Sequence, residues 1–173
     1  MTMREFGVLR SIMTCLGVSC VLWGCSHTPV ELAQPQPSLA PVATAMNESR
    51  RHDVVIQALA MLDRGYTYGG KKLHTGFDCS GLVSFVYAQS TGMAIKGSAA
   101  DMAQATRPVL AEQARPGDLV FFNTLGTPFS HVGIFIGSGK FIHAANEKTG
   151  VKVERLSSPY WSQRFQGFRS LGV

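Results

Sequence analysis

Three residues of this chain have the types and spacing needed for nucleophilic chemistry: Cys79, His131 and His143. Cys79 follows Asp78 and precedes an apolar run in the segment "TGFDCSGLVSFVY". This pattern predicts that Cys79 lies in the first turn of a helix, where unpaired N–H groups and the helix dipole stabilise a thiolate over the thiol. The same N–H groups can bind the oxyanion of a tetrahedral intermediate. A reactive cysteine is therefore one interpretation, and a buried inert cysteine is the other.

A nucleophilic cysteine needs a base, and His131 and His143 are the informative candidates among five histidines. They lie on the two strands of a predicted hairpin that turns at Gly137-Ser138-Gly139, so they can come to lie side by side. One imidazole would take the thiol proton while the other fixes its orientation. The pattern does not indicate which histidine is the base and which one orients it. The other three histidines fall in a tether, on a polar helix face and in a glycine-rich loop: His27, His52 and His74.

The elements that must position these residues are helices first and strands afterwards. Apolar spacing predicts a helix over residues 50–63, with Ser49 as its N-cap and Gly65 as its stop. Two more helices are predicted over residues 78–92 and 98–106. Strands are predicted within residues 116–123, 131–146, 150–156 and 165–171. This order indicates an α+β fold in which the helices pack on one face of a single antiparallel sheet.

The N-terminus is typical of an exported protein. Residues 1–24 combine two arginines with a short apolar stretch and are interpreted as a signal peptide. The segment ending at Cys25 resembles the lipobox of bacterial lipoproteins, which implies that Cys25 is lipidated; plain cleavage is the alternative. Residues 25–48 contain four prolines and are interpreted as a tether, which leaves residues 49–173 as the folded domain. Because Cys15 and Cys20 leave with the signal, Cys79 would be the one free thiol of the mature protein.

Composition narrows the class of protein. With 173 residues and 45% hydrophobic residues, one domain of ordinary size is expected. The net charge of +5 is modest, and no basic-aromatic motif of a nucleic-acid reader is present in the sequence. The cysteine spacing contains no metal-binding pair. We therefore expect a monomer with no nucleic-acid partner and no cofactor.

Four segments, in this order, resemble those of the NlpC/p-sixty cell-wall peptidases, a papain-like family: "YTYGG", "GFDCSGLVSFVY", "RPGDLVFF" and "SHVGIFIGSGKFIHA". The similarity covers most of residues 50–173. It implies a papain-like fold in which Cys79 is the nucleophile, His131 the general base and His143 the residue that orients it. It further implies that three residues serve the oxyanion and the substrate subsites: Tyr66, Asp78 and Ser80.

The function implied by this resemblance is hydrolysis of an amide bond in the stem peptides of peptidoglycan, either the bond from D-glutamate to the diamino acid or a cross-link. Together with the lipobox, it implies a protein anchored by lipid at the periplasmic face of the outer membrane of a Gram-negative bacterium. Three alternatives stay open: an acyltransferase or amidase with the same three residues, an inactive wall-binding lipoprotein, and a zinc site formed by Cys79, His131, His143 and Asp78. Neither the scissile bond nor the role of the loop at residues 123–130 follows from the sequence.

Overall fold

The first helix begins earlier than the sequence pattern predicts. A computed structural model describes the backbone of residues 39–171 and the side chains of residues 48–171. Helix α1 spans Leu39–Leu59, so the predicted start at residue 50 and the predicted cap at Ser49 are wrong. Pro41 stands in the first turn, where its missing N–H is not needed, and residues 42–50 contain neither proline nor glycine to interrupt the helix. The predicted signal peptide lies outside the described residues, as do Cys25 and His27.

Helix α1 also ends before the predicted stop at Gly65. Its buried side is formed by Arg51, Val54 and Ala58, whereas Leu59 is 42% exposed. After the helix the chain turns at Asp63, whose φ of 62° is left-handed and whose N–H donates to the carbonyl of Val151. The chain therefore leaves the helix through turns and reaches a distant strand before the predicted stop at Gly65.

The second helix confirms the sequence prediction. A small hairpin of strands β1 (Lys71–Lys72) and β2 (Gly76–Phe77) leads into helix α2, Cys79–Thr91. Asp78 is the N-cap, and Gly92 ends the helix in the left-handed conformation with φ of 73°. The predicted short helix is α3, Ala99–Ala105, which begins with a capping box between Ser98 and Asp101.

The remaining strands form one antiparallel sheet, as predicted, whereas the hairpin of β1 and β2 is a separate two-stranded sheet that was not predicted. The members of the larger sheet are β3 (Arg107–Val109), β4 (Leu119–Phe122), β5 (His131–Gly137), β6 (Lys140–Ala144), β7 (Val151–Arg155) and β8 (Phe165–Ser170). The order across the described sheet is β3-β8-β4-β5-β6-β7. Strand β3 was not predicted, because a three-residue edge strand containing Pro108 has almost no sequence signal. A turn of 3₁₀ helix at Ala111–Gln113 follows it.

The two faces of the sheet are covered differently. On one face, α1, α2 and α3 bury the main core against alternate residues of the central strands, such as Val132, Ile134 and Ile142. The opposite face carries a second, aromatic cluster: Val120, Phe122, Phe135, Phe141, Trp161 and Phe168. The short helix α4, Pro159–Ser162, supplies Trp161 to that cluster. The prediction that helices cover one face therefore holds for the first three helices and is wrong for the fourth.

A buried ion pair joins α1 to the sheet. Arg51 donates from Nη1 to Asp118 Oδ1 at 2.8 Å, and from Nη2 to Ser170 Oγ at 3.3 Å. Arg51 is 8% exposed and Asp118 is 2% exposed. The pair fixes α1 against the strands that lead to the histidines.

Among the described helices, none combines the length and the apolar character required to cross a bilayer.

Candidate active site

Cys79 is the first residue of α2 and lies half-buried where that helix meets the sheet. The carboxylate of Asp78 accepts hydrogen bonds from Gly81 N–H at 2.6 Å and from Gly69 N–H at 3.0 Å. Asp78 therefore joins the glycine-rich loop to the helix start and fixes the direction in which the cysteine points. The backbone N–H groups of Val132, Ser80 and Cys79 itself favour the charged form of the thiol. The start of β5, at His131 and Val132, therefore lies near Cys79.

Close backbone packing holds this helix start in place. A Cβ atom added to Gly81 would lie 1.9 Å from the carbonyl oxygen of Gly70. A Cβ atom on Gly70 would in turn lie 2.5 Å from the carbonyl oxygen of Gly76. Only glycine permits this approach of the loop to the helix, so the "YTYGG" segment positions the cysteine through its backbone.

The N–H groups at the helix start favour the thiolate of Cys79, as expected, but burial outweighs them. Burial raises the pKa of Cys79 to about 11, and the negative charge of Asp78 adds to the rise. The three backbone N–H groups oppose this shift but do not reverse it. The reason is that desolvation disfavours the charged form more strongly than the helix start favours it. Cys79 is therefore a neutral thiol at neutral pH.

His131 and His143 lie together, as the hairpin predicts. The register of β5 and β6 pairs Ile134 with Ile142, so the two histidines fall diagonally on the face opposite the helical core. The Nε2 atom of His131 lies 2.8 Å from the Nδ1 atom of His143. This hydrogen bond occupies Nε2 of His131 and leaves its Nδ1 as the nitrogen available to a reacting group.

Burial lowers the pKa of both imidazoles and so favours their neutral forms. Burial lowers the pKa of His131 to about 4, although the nearby Asp78 carboxylate raises it. Burial, followed by the charges of His131 and Lys152, lowers the pKa of His143 to about 2. A neutral His131 has a lone pair that can accept a proton, but its lowered pKa makes it a weaker base than a free imidazole.

An aromatic residue that the sequence analysis did not single out covers both histidines. Trp161 is stacked on His131 with a centroid distance of 5.5 Å, and it meets His143 edge to face at 4.8 Å. Phe122 and Phe141 contact the same tryptophan. The signal that could have located it is "SSPYW", in which a proline after serine is typical of a helix start.

The remaining predicted site residues surround Cys79. Tyr66 is half-buried and forms an isolated parallel bridge with Phe77. Burial raises the pKa of Tyr66, and the charges of Cys79 and Asp78 raise it further. Tyr66 also borders a cleft of about 550 Å³ together with residues 145–148. Ser80 is buried and donates to Asp78 Oδ1 at 3.1 Å, so its visible contact supports the helix cap.

The other histidines and the metal site considered in the sequence analysis do not contribute to the site around Cys79. His52 is exposed on α1, and His74 is exposed in the turn between β1 and β2. Within the described part of the chain, no group of three His, Cys, Asp or Glu residues is placed to hold a metal ion. The ring nitrogens of His131 and His143 face each other at hydrogen-bond distance, which leaves no room for an ion between them. The geometry therefore gives no support to the zinc alternative.

Comparison with known proteins agrees with this geometry. Residues 63–170 match the NlpC/P60 family. The chain is 38% identical over 117 residues to the gamma-DL-glutamyl hydrolase of Bacillus subtilis (strain 168), covering 67% of this chain and 28% of that protein. It is 34% identical over 114 residues to the murein DD-endopeptidase MepH of Escherichia coli (strain K12), covering 64% of this chain and 42% of that protein.

A solved structure confirms the fold. A Staphylococcus aureus subsp. aureus Mu50 protein described as similar to lipoprotein, of the NLP/P60 family, superimposes with a TM-score of 0.63. It is 34% identical, and the match covers 70% of this chain and 41% of that chain. The chain therefore spans less than half the length of each of these three relatives. The predicted α+β, papain-like fold is confirmed.

Proposed function

Because this chain belongs to the NlpC/P60 family, we propose that it hydrolyses amide bonds in the stem peptides of peptidoglycan, with Cys79 as the nucleophile. The observation that carries this proposal is the hydrogen bond of 2.8 Å between His131 and His143, formed where β5 meets the start of α2. The bond pairs a base with a group that orients it, and the N–H of Val132, the residue after His131, favours the charged form of the Cys79 thiol. A relative named a murein DD-endopeptidase supports a wall-peptide substrate, and a relative named a gamma-DL-glutamyl hydrolase supports hydrolysis of a glutamyl amide bond.

In the first step, Cys79 Sγ attacks the carbonyl carbon while its proton passes to Nδ1 of His131. Because burial favours the neutral forms of Cys79 and His131, we propose that the proton moves as the sulfur–carbon bond forms. The carbonyl oxygen becomes an oxyanion, which the N–H of Cys79 and the hydroxyl of Tyr66 stabilise. His143 accepts from Nε2–H of His131 and so supports the positive charge that develops on that ring.

The second half of the reaction releases both products. The carbon–nitrogen bond breaks, and the leaving amine takes the proton from His131, which leaves an acyl thioester on Cys79. Water then attacks the thioester while His131 accepts one of its protons. Collapse of this second intermediate gives a carboxylic acid and returns the proton to the thiolate of Cys79. The arrangement needs no group beyond these residues and water.

The remaining assignments concern binding and location. Asp78 and Ser80 would border the subsites for the stem peptide in addition to forming the helix cap. The loop at residues 123–130 leaves β4 at Phe122, whose Cα partner is His131, so it starts and ends beside the base. Lipidation of Cys25 would tether a monomeric domain to the periplasmic face of the outer membrane. The net charge of +5 would favour association with a polyanionic wall.

The scissile bond is tested by products. The purified full-length protein, in detergent, is incubated with sacculi and with defined muropeptides, and the new termini are identified by mass spectrometry. A new pair of D-glutamyl and diamino-acid termini identifies a DL-endopeptidase, whereas cleaved cross-links identify a DD-endopeptidase. Transfer of an acyl group to an added amine without hydrolysis would identify an acyltransferase instead. Binding to sacculi without any product would identify a wall-binding protein and overturn the proposal.

A further inference from the structure

One surface beside Cys79 carries positive charge that the proposed mechanism does not use. It belongs to residues 64–77, which form the glycine-rich loop and the hairpin of β1 and β2. The charged side chains of this stretch are Arg64, Lys71 and Lys72, and it contains neither aspartate nor glutamate. All three side chains are exposed. We call residues 64–77 the basic segment.

The protein itself does not neutralise the charge of the basic segment. The ion pairs found within residues 48–171 include none of its side chains. Asp78 follows the segment, but its carboxylate already accepts three hydrogen bonds at the start of α2. Across the cleft that Tyr66 borders, Glu147 and Lys148 have opposite formal charges. The net charge on this side of the site is therefore positive.

Hydrogen bonds hold the backbone of the basic segment in one conformation. The N–H of Thr67 donates to the carbonyl of Phe77 at 3.1 Å, and its Oγ1 donates to the carbonyl of Thr75 at 2.6 Å. The N–H of Gly70 donates to the carbonyl of Thr67 at 2.8 Å, and the N–H of Asp78 donates to the carbonyl of Gly70 at 3.0 Å. A backbone that is already ordered loses little conformational entropy when a ligand binds, which favours binding.

The basic segment lies within reach of a peptide held at Cys79. Lys71 is the Cα partner of Phe77, which precedes Cys79 by two residues. Cα atoms of paired strand residues lie about 5.5 Å apart and consecutive ones 3.8 Å apart, so the Cα atoms of Lys71 and Cys79 are separated by about 13 Å at most. An extended peptide of four residues spans about the same distance. A substrate with its scissile bond at Cys79 can therefore reach the basic segment with a neighbouring residue.

We propose that the basic segment is a docking surface for the free carboxylates of peptidoglycan stem peptides, which it binds beside the bond that Cys79 attacks. A lysine ammonium attracts a carboxylate without requiring a fixed bidentate geometry, so the surface suits peptides that arrive in different orientations. Its charge also raises the local concentration of an anionic substrate and the rate of association. This inference rests on the proposed function for its substrate, but the binding can be measured without turnover.

An anionic membrane is the other surface that attracts exposed lysines, and Leu73 in the same hairpin is 45% exposed. The place of the hairpin in the fold favours the wall. Because the hairpin leads directly into Asp78 and Cys79, its insertion into a bilayer would press the entrance of the site against lipid. Wall peptides would then be kept away from the cysteine.

The test measures binding of the full-length Cys79→Ala variant, in detergent, so that no peptide is cut during the measurement. The protein is sedimented with sacculi at low salt and at about 1 M salt, where the Debye length is about 3 Å. A second batch of sacculi has its carboxylates converted to amides. We expect high salt and amidation each to weaken binding. Unchanged binding to the amidated sacculi would overturn the proposal, because the ligand would then not be a carboxylate.

A matched pair of double variants locates the docking surface. Lys71→Gln with Lys72→Gln should weaken binding to sacculi at low salt by roughly 2- to 30-fold, the effect of losing two exposed ion pairs. Lys71→Arg with Lys72→Arg should retain binding, because the charge is kept. Lys96→Gln with Arg107→Gln removes the same charge at exposed positions, one beyond the far end of α2 and one on the edge strand β3, and should have a smaller effect. Equal weakening by the two neutral pairs would contradict the proposal, since overall charge alone would then explain binding.

Two further outcomes separate this proposal from its neighbours. Binding to mixed micelles of phosphatidylglycerol that depends on the two lysines, without such dependence on sacculi, would overturn it in favour of a lipid surface. Lysine-dependent binding to sacculi by a protein that cuts no muropeptide would support the docking surface and refute the proposed hydrolysis. Cleavage of muropeptides together with binding to sacculi that does not depend on the two lysines would refute the docking surface alone.

Discussion

Nε2 of His131 and Nδ1 of His143 form a hydrogen bond of 2.8 Å between neighbouring strands, on the sheet face opposite the main core. Neither ring is free to turn, because Trp161 covers both. The bond gives His131 and His143 different roles. His131 has Nδ1 available for proton transfer, whereas His143 acts through His131.

Replacing His143 should therefore lower turnover more than substrate binding. We expect His143→Leu to reduce kcat by roughly 10²- to 10⁴-fold with KM little changed, since the base would lose its orientation. His143→Asn should restore part of the rate, because an amide oxygen can also accept from His131. Steady-state kinetics on a defined muropeptide measure both effects. His52→Leu, at an exposed position of α1, is the control. An equal loss of rate in His143→Leu and His143→Asn would argue that His143 has only a packing role.

The protonation of Cys79 predicts an unusual pH dependence of alkylation. Burial raises the thiol pKa to about 11, so the thiolate fraction should be small at pH 7 and should rise steadily as the pH increases towards 11. The rate of iodoacetamide labelling, followed on the peptide that contains Cys79, should rise over the whole range from pH 6 to 10. A rate that is already constant between pH 5 and 8 would indicate a thiolate–imidazolium pair and would contradict the neutral pair inferred above.

The contact between the glycine-rich loop and α2 predicts a strong effect of one methyl group. In Gly81→Ala the added Cβ would lie 1.9 Å from the carbonyl oxygen of Gly70, so the loop or the helix start must move. We expect a loss of about 1–3 kcal/mol in the free energy of unfolding, measured by urea denaturation, together with lower turnover. Gly65→Ala is the matched control, since nothing lies within 4 Å of its added Cβ. Equal stability of the two variants would show that this close approach is not required.

The ion pair between α1 and the sheet should matter for stability. Arg51→Met removes one partner and leaves the carboxylate of Asp118, which is 2% exposed, without its guanidinium. Breaking a buried pair in this way typically costs about 3–5 kcal/mol. Arg50→Met makes the same change at an exposed neighbouring position and should have little effect. Thermal or urea unfolding of both variants measures the difference, and similar values for the two would contradict a stabilising role for Arg51.

Local signals explain which parts of the structure the sequence could predict. Asp78 and Gly92 enclose a run of helix-forming residues, so α2 and the place of Cys79 could be read directly. The tight turn after Gly137 brings two distant histidines together through strand pairing alone. In both cases the determining signal is local: the caps of α2 and the short turn between β5 and β6.

The features that could not be predicted from the sequence depend on contacts between residues distant in the chain. Asp63, in the turn after α1, bonds to the distant Val151, and Trp161 reaches the histidines from a helix of four residues. The direction of the Cys79 pKa shift could not be predicted either, because burial depends on the packed sheet and outweighs the helix start. Residues 1–38, with the predicted lipidation at Cys25, lie outside the described structure, and that assignment stays a prediction.

The most direct test of the account is single-turnover digestion of one defined muropeptide by the full-length protein and by its Cys79→Ala variant. Both should bind the peptide and unfold at similar denaturant concentrations, since alanine removes only the sulfur. The account predicts that the unchanged protein releases product and that Cys79→Ala releases none. Product formation by Cys79→Ala at the rate of the unchanged protein would show that the thiol is not the nucleophile and would contradict the proposed mechanism.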